Sequence, residues 1–263
     1  MLCLSLAALQ AQPVVTGSVS PDPLGFGQNV YVGFGGSPGT ITISGGIGLT
    51  NLSTIIGDNT DNSAVTVSGT GSTLTSNGTL YVGYLTTGSS SSNNTMVISG
   101  GGTVTSYFGT IRTTNTATVS GTDSTWATTN SASPLSLGGT LTVEDSALVR
   151  AAGGLSFGTE ADSLLRLDGG FVALSGDKTT DVNTFLGDGK IQVWDGDSCE
   201  NADGSPLFTF AYFSDATAAF NATGYTGLGG YTILSMVPEP STHALVAGVL
   251  GLGLAVWRRR KQA

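Results

Sequence analysis

Apolar and polar residues alternate in short runs along most of this chain. Three-residue stretches with apolar ends recur as Ile41-Thr42-Ile43, Val65-Thr66-Val67, Met96-Val97-Ile98, Ala117-Thr118-Val119, Leu141-Thr142-Val143, Leu165-Arg166-Leu167 and Ile191-Gln192-Val193. Counted at their third residues, they are 24, 31, 21, 24, 24 and 26 positions apart. A second signal, a strand ending in glycine, falls between them. Its copies are Tyr31-Val32-Gly33, Ile55-Ile56-Gly57, Tyr81-Val82-Gly83, Tyr107-Phe108-Gly109, Ser136-Leu137-Gly138, Ser156-Phe157-Gly158 and Phe185-Leu186-Gly187, with glycines 24, 26, 26, 29, 20 and 29 positions apart. Period-two alternation marks strands that bury one face. Self-similarity at about two dozen residues marks a repeat architecture.

Together these signals predict an all-β fold, a single-stranded parallel β-helix (β-solenoid) of about seven coils over residues 29–195. Val, Ile and Leu turn inward, Thr and Ser face water, and glycine supplies the left-handed backbone of a sharp corner. A lone coil cannot cover its apolar face, whereas stacked coils share one interior. Seven rungs at strand spacing give a rod of about 35 Å. The longest step contains Gly88–Asn94 (GSSSSNN), read as a loop insertion on one coil. A sandwich of hairpins is the rival architecture, but the turn dipeptides do not separate paired alternating runs of equal length. Residues 12–28 precede the first coil as an N-terminal cap. Residues 196–236, with Leu207-Phe208-Thr209-Phe210-Ala211-Tyr212-Phe213, Phe220, Tyr225 and Tyr231, read as an aromatic-rich C-terminal cap over the last open coil. The sharper alternative for that run is an aromatic platform for glycans.

Both ends of the chain differ from the middle. Residues 1–11 (MLCLSLAALQA) are apolar and end in small residues, like the h-region and cleavage site of a signal peptide, with no basic n-region before them. Residues 237–263 carry Pro238, Glu239 and Pro240, then an uncharged stretch from Ser241 to Trp257, then Arg258, Arg259, Arg260 and Lys261. Seventeen residues predict a C-terminal transmembrane helix of about 25 Å, close to the minimum that crosses a bilayer core. Trp257 would sit among headgroups, and the four cations would anchor the cytoplasmic side.

This tail resembles the PEP-CTERM sorting signal of Gram-negative bacteria in the order of its parts. The resemblance implies an exosortase substrate. An exosortase-type membrane transpeptidase would recognise the tripeptide and remove the tail. The precursor would be anchored in the inner membrane, and the mature protein would reach the cell surface or the extracellular matrix, alongside exopolysaccharide. The repeat Val67-Ser68-Gly69-Thr70-Gly71-Ser72-Thr73-Leu74 and its echo Val119-Ser120-Gly121-Thr122-Asp123-Ser124-Thr125-Trp126 resemble the β-strand repeats of autotransporter passengers and bacterial adhesins.

Charge and composition narrow the chemistry. The formal charge is −9, and loss of Glu239 and the four terminal cations with the tail takes it to about −12. An acidic surface excludes nucleic acid as a partner. The single histidine, His243, lies in the tail, so histidine-based catalysis is not expected of the mature protein. Cys3 lies in the signal, leaving Cys199 alone and without an intramolecular disulfide partner. No cofactor is expected. Asp195, Asp197, Glu200 and Asp203 are close enough in sequence to be a weak Ca²⁺ candidate, although they depart from an EF-hand and read first as a solvated, turn-rich loop.

Carboxylates that could serve glycoside hydrolysis are Glu144, Asp145, Glu160, Asp162 and Asp168, with Arg150 and Arg166 nearby in sequence. Coils of about 24 residues would stack Glu144 and Asp168 on adjacent rungs. Solvated corner residues are the plainer reading. The resulting expectation is a non-enzymatic surface or matrix protein with an exopolysaccharide, biofilm or adhesion role. The alternative is a secreted polysaccharide lyase or glycoside hydrolase on the same scaffold.

Overall fold

The computed structural model describes residues 12–21, 24, 27–85, 91–193 and 208–236. Over these residues the chain winds into a parallel β-solenoid of about seven turns with three faces per turn. The first face carries Gly39–Ser44, Ala64–Ser68, Thr95–Ser99, Thr116–Ser120, Thr140–Glu144, Leu164–Asp168 and Ile191–Val193, each parallel to the next. Register places Ile43 opposite Val67, followed by Ile98, Val119, Val143, Leu167 and Val193. The seven apolar triplets are therefore the seven rungs of this face. The long step from Val67 to Ile98 leaves the ladder in register. From Ile43 to Leu167 these inward residues are wholly buried, each worth about 1.5–3 kcal/mol of transfer free energy.

The second face repeats Leu49, Leu74, Val104, Trp126, Val149 and Val172 as its inward column. The third repeats Val32, Ile56, Val82, Ile111, Leu137 and Phe157. Thr73–Tyr84 and Thr103–Ile111 each run through the corner between these two faces, which joins them into one 13-stranded sheet.

Two of the seven glycine-ended copies depart from the expected pattern. Tyr81 pairs with Thr110 and Val82 with Ile111, so the fourth rung of the third face lies three residues beyond Tyr107-Phe108-Gly109. Gly109 serves another purpose. A Cβ there would lie 2.6 Å from Leu135 and 2.8 Å from the ring of Trp126, so its missing side chain makes room for the buried indole. The last copy, Phe185-Leu186-Gly187, lies in a helix, Thr179–Gly187. A helix satisfies its own backbone groups and covers the last rung without offering a new edge. Phe185 meets Phe157 edge-on at 4.8 Å between ring centroids, holding the helix over that rung.

The corner from third to first face is wired by side chains. Asn94 Oδ1 accepts from the Ser63 N–H at 2.8 Å, and Asn115 Oδ1 accepts from the Asn94 N–H at 2.9 Å. A Cβ on Gly33, Gly57 or Gly83 would strike Ser63, Asn94 or Asn115 respectively. At all three glycines φ is also positive, so both space and backbone demand glycine.

Antiparallel strands occupy both ends of the ladder. Val14–Gly17 pairs with the first rung of the first face, and Val19–Ser20 with Asn29–Phe34. At the other end Tyr231–Met236 pairs antiparallel with Phe171–Ser175, and Phe208–Phe213 pairs with Tyr231–Met236. The helix Ala216–Thr223 packs Ala219 beside Leu148, Ala173, Leu228 and Ile233.

The expected transmembrane helix is corrected at the level of the fold. Among the described residues no helix is long and apolar enough to cross a membrane. The two helices there have nine and eight residues, about 14 Å at most, roughly half a hydrocarbon core. Residues 1–11, Cys199 and residues 237–263 lie outside the described residues.

Candidate functional site

The predicted carboxylates divide between two corners. Glu144 and Asp168 end consecutive rungs of the first face, next to the paired Val143 and Leu167. Asp145 and Ser146 follow in left-handed backbone, with φ of 53° and 64°. They lie in a turn that stacks on the next coil through Asp145 N–H to Asp168 O and Ser146 N–H to Gly169 O, both at 2.9 Å. Burial pushes the Glu144 carboxyl above its ordinary value, and Asp145 and Asp168 push it the same way. Glu160 and Asp162 instead precede Leu164–Asp168, at the corner from third to first face. There Asp162 accepts from the Thr114 N–H, and the carbonyl of Glu160 accepts from Lys190 Nζ at 2.9 Å.

A cavity of about 570 Å³ opens beside Asp168, lined also by Ser146, Phe171, Phe213, Ile233 and Met236. Tyr225 lies close by. Its hydroxyl donates to Ser146 O at 2.8 Å, and its ring meets Phe171 at 6.2 Å. Burial raises the Tyr225 pKa above the usual phenol value. Arg150 is engaged elsewhere. Arg150 donates to the Tyr231 hydroxyl at 3.0 Å and lies over that ring at 5.1 Å. Arg166 occupies the outward column of the first face between Thr142 and Gln192. The corner thus places two carboxyl groups, Glu144 with its pKa raised by burial, beside an apolar recess that Asp168 helps to line.

Sequence reasoning did not single out the outer side of the third face. Tyr31, Ile55 and Tyr81 follow one another in register on three successive rungs. Phe34, Asp58 and Tyr84 form a parallel column three residues later. The glycine of each rung adds a second consecutive inward position, which returns the next side chain to the surface. Tyr81 and Tyr84 rings lie 4.7 Å apart, tilted by 47°. Between the tyrosines is a shallow cleft of about 230 Å³ whose lining includes Asn29, Ser53 and Asp58. Phe34, in the column of Asp58 and Tyr84, and Leu85, which follows Tyr84, are also exposed. The signal was present in Tyr31 and Tyr81, which occupy the same place in two glycine-ended copies.

Of the aromatic run near residue 210, Phe210 and Phe213 pack inward and Tyr212 is exposed. Phe213 packs in the cluster around Ile233, and Phe210 packs against the main core. Asp195, Asp197, Glu200 and Asp203 lie outside the described residues, as do Pro238, Glu239, Pro240, Trp257, Arg258, Arg259, Arg260 and Lys261. No protein-family model matches the chain, and no curated protein or solved structure is significantly similar to it.

Proposed function

We propose that the protein is an exported, non-enzymatic component of the cell surface or extracellular matrix, associated with exopolysaccharide in a biofilm or adhesive role. It is processed at Pro238-Glu239-Pro240 by an exosortase-type membrane transpeptidase. The observation that carries this reading is the order of the tail: the tripeptide, the uncharged stretch to Trp257, then Arg258 to Lys261. The ladder supports it, because Thr40, Thr42, Thr66, Thr116, Thr118 and Thr142 occupy outward columns of one flat face. Hydroxyls repeated at rung spacing suit contact with a long polymer.

The test is intact-mass measurement of the protein recovered from the surface of a Gram-negative host, with and without an exosortase-type enzyme. The expected mass lacks the basic tail only when the enzyme is present. A C-terminus that stays intact in both strains sinks the proposal.

One observation favours a second reading, a secreted polysaccharide lyase or glycoside hydrolase: Glu144 and Asp168 end neighbouring rungs, burial raises the Glu144 carboxyl, and Asp168 lines the cavity of about 570 Å³. That reading requires new reducing ends or unsaturated products from a panel of neutral and acidic glycans. Glu144→Gln must abolish them.

A further inference from the structure

We propose that the cleft between Tyr31 and Tyr81 is a binding site for a segment of neutral glycan. This deepens the matrix reading above and takes its ligand class from it.

The cleft is built by register. Ile55 stands between the two tyrosines on the middle rung and is only 5 % exposed, so a short aliphatic side chain forms a floor between two longer aromatic ones. Two rungs separate the backbones of Tyr31 and Tyr81 by about 9.6 Å, the length scale of a disaccharide. The volume of about 230 Å³ suits one sugar ring, below the several hundred Å³ of a drug-sized pocket. Tyrosine presents an apolar face for the C–H surface of a pyranose and a hydroxyl for its edge.

An independent observation points to a hydrogen-bonding ligand. Asn29 lines the cleft, and its Oδ1 is shielded from solvent with no hydrogen-bond partner. Buried acceptors are nearly always satisfied, so an orphan at a cleft needs an explanation. A sugar hydroxyl is the kind of donor this oxygen lacks, and a turn of the Asn29 side chain toward the cleft brings the two together. Ser53 adds a hydroxyl to the lining.

Charge selects among glycans. Among the described residues, the lining contains the carboxylate of Asp58 and no lysine or arginine, on a chain of net charge −9. A polyanionic chain would meet like charge at the site and across the surface, whereas a neutral chain would not. Phe34, exposed in the same column as Asp58 and Tyr84, allows stacking to continue beyond one ring.

The experiment is isothermal titration of the purified full chain with cellotetraose and mannotetraose as neutral probes and tetragalacturonate as the acidic one. Tyr81→Ala and Tyr84→Ala are the site variants. Tyr212→Ala, an exposed tyrosine at the far end of the solenoid, is the control. Circular dichroism checks that each variant is folded. The expected result is binding of a neutral probe that weakens by roughly tenfold or more in each folded site variant, the scale of one anchoring aromatic, and is unchanged in the control. The proposal is overturned by tetragalacturonate binding as tightly as the neutral probes, by no binding of any probe at millimolar concentration, or by site variants within about twofold of the parent. Self-association that disappears in Tyr81→Ala without glycan binding also overturns it and reassigns the face to a second copy of the chain. Because these measurements do not depend on tail processing, they can fail while the intact-mass test succeeds.

Discussion

Replacing Asn115 with alanine tests whether the wired corner holds the ladder together. Asn115 is 1 % exposed. Its Oδ1 accepts from Asn94 N–H at 2.9 Å and from Asn94 Nδ2 at 3.0 Å, while its own Nδ2 donates to Ser91 O and Thr113 O, both at 2.8 Å. Alanine removes all of these. Asn94 Nδ2 keeps Thr60 O and Ser91 Oγ as acceptors, but the buried Asn94 N–H loses its acceptor. An orphaned buried donor costs about 1–3 kcal/mol, and the remaining lost bonds add about 1 kcal/mol or more. The expected destabilisation is therefore about 3 kcal/mol, a large fraction of the 5–15 kcal/mol typical of a domain.

Gly83 makes this a stricter test. Its φ is +80°, and an added Cβ would lie 2.2 Å from Asn115 Nδ2. Gly83→Ala thus carries a left-handed backbone penalty of about 1–2 kcal/mol and a steric penalty of about 1–3 kcal/mol. Removing the Asn115 amide relieves only the second. The double variant should therefore lose less stability than the two single losses added together, by about 1 kcal/mol or more. Equilibrium guanidinium unfolding followed by circular dichroism measures all four proteins. If Asn115→Ala costs under about 1 kcal/mol, or the losses add within about 0.5 kcal/mol, the corner is not wired as described.

Trp126 is wholly buried, and its Nε1 donates to Ser106 Oγ at 3.2 Å; Trp126→Ala should cost about 3–5 kcal/mol in the same assay, and an unchanged midpoint would refute its place in the core. Glu144 binds its proton more tightly folded than unfolded, so the stability this contributes is full below its ordinary pKa of 4.5 and disappears as pH rises through the folded value. Glu144→Gln should therefore raise the unfolding midpoint at neutral pH relative to the parent, and that advantage should vanish in acid. Asp215 accepts from Thr217 N–H and Ala218 N–H at the start of Ala216–Thr223, which holds its carboxyl below 3.8. Its contribution is present above that value and lost as pH falls through the folded pKa, so Asp215→Ala should speed amide exchange in the helix at neutral pH and have no further effect at strongly acidic pH.

The first face was legible because its rungs combine a strict inward pair with tolerant neighbours. Ile41 and Ile43, like Leu141 and Val143, stand two apart wherever the strand recurs, and nothing else competes for those positions. The second face was hidden by its own corner. Thr73–Tyr84 and Thr103–Ile111 pass from one face to the next without a break, and the first does so straight through Asn77-Gly78, a dipeptide that ordinarily ends a strand, so Leu74 and Val82 do not stand out as rungs of two different faces. Gly109 misled for a different reason: a glycine that admits an indole and a glycine that turns a corner are the same letter. The carboxylate pair was legible from period alone, since a step of 24 residues carries Glu144 to Asp168. The separation of Glu160 and Asp162 from that pair required knowing that a coil has three corners.

The third face shows how such a ladder acquires a surface of its own. Its inward column stays apolar from Val32 through Leu137 to Phe157. Its outward column begins as Tyr31, Ile55 and Tyr81 and ends as Thr110, Ser136 and Ser156 in the same register. The rungs stack equally well under either kind of outer residue, because stacking depends on the backbone ladder and the inner side chains. Stability therefore does not require the tyrosines. It tolerates them at one end of the rod, where they stand together over a shielded acceptor at Asn29. A residue type that the fold does not demand, held in register on neighbouring rungs, is best explained by what it meets outside the molecule.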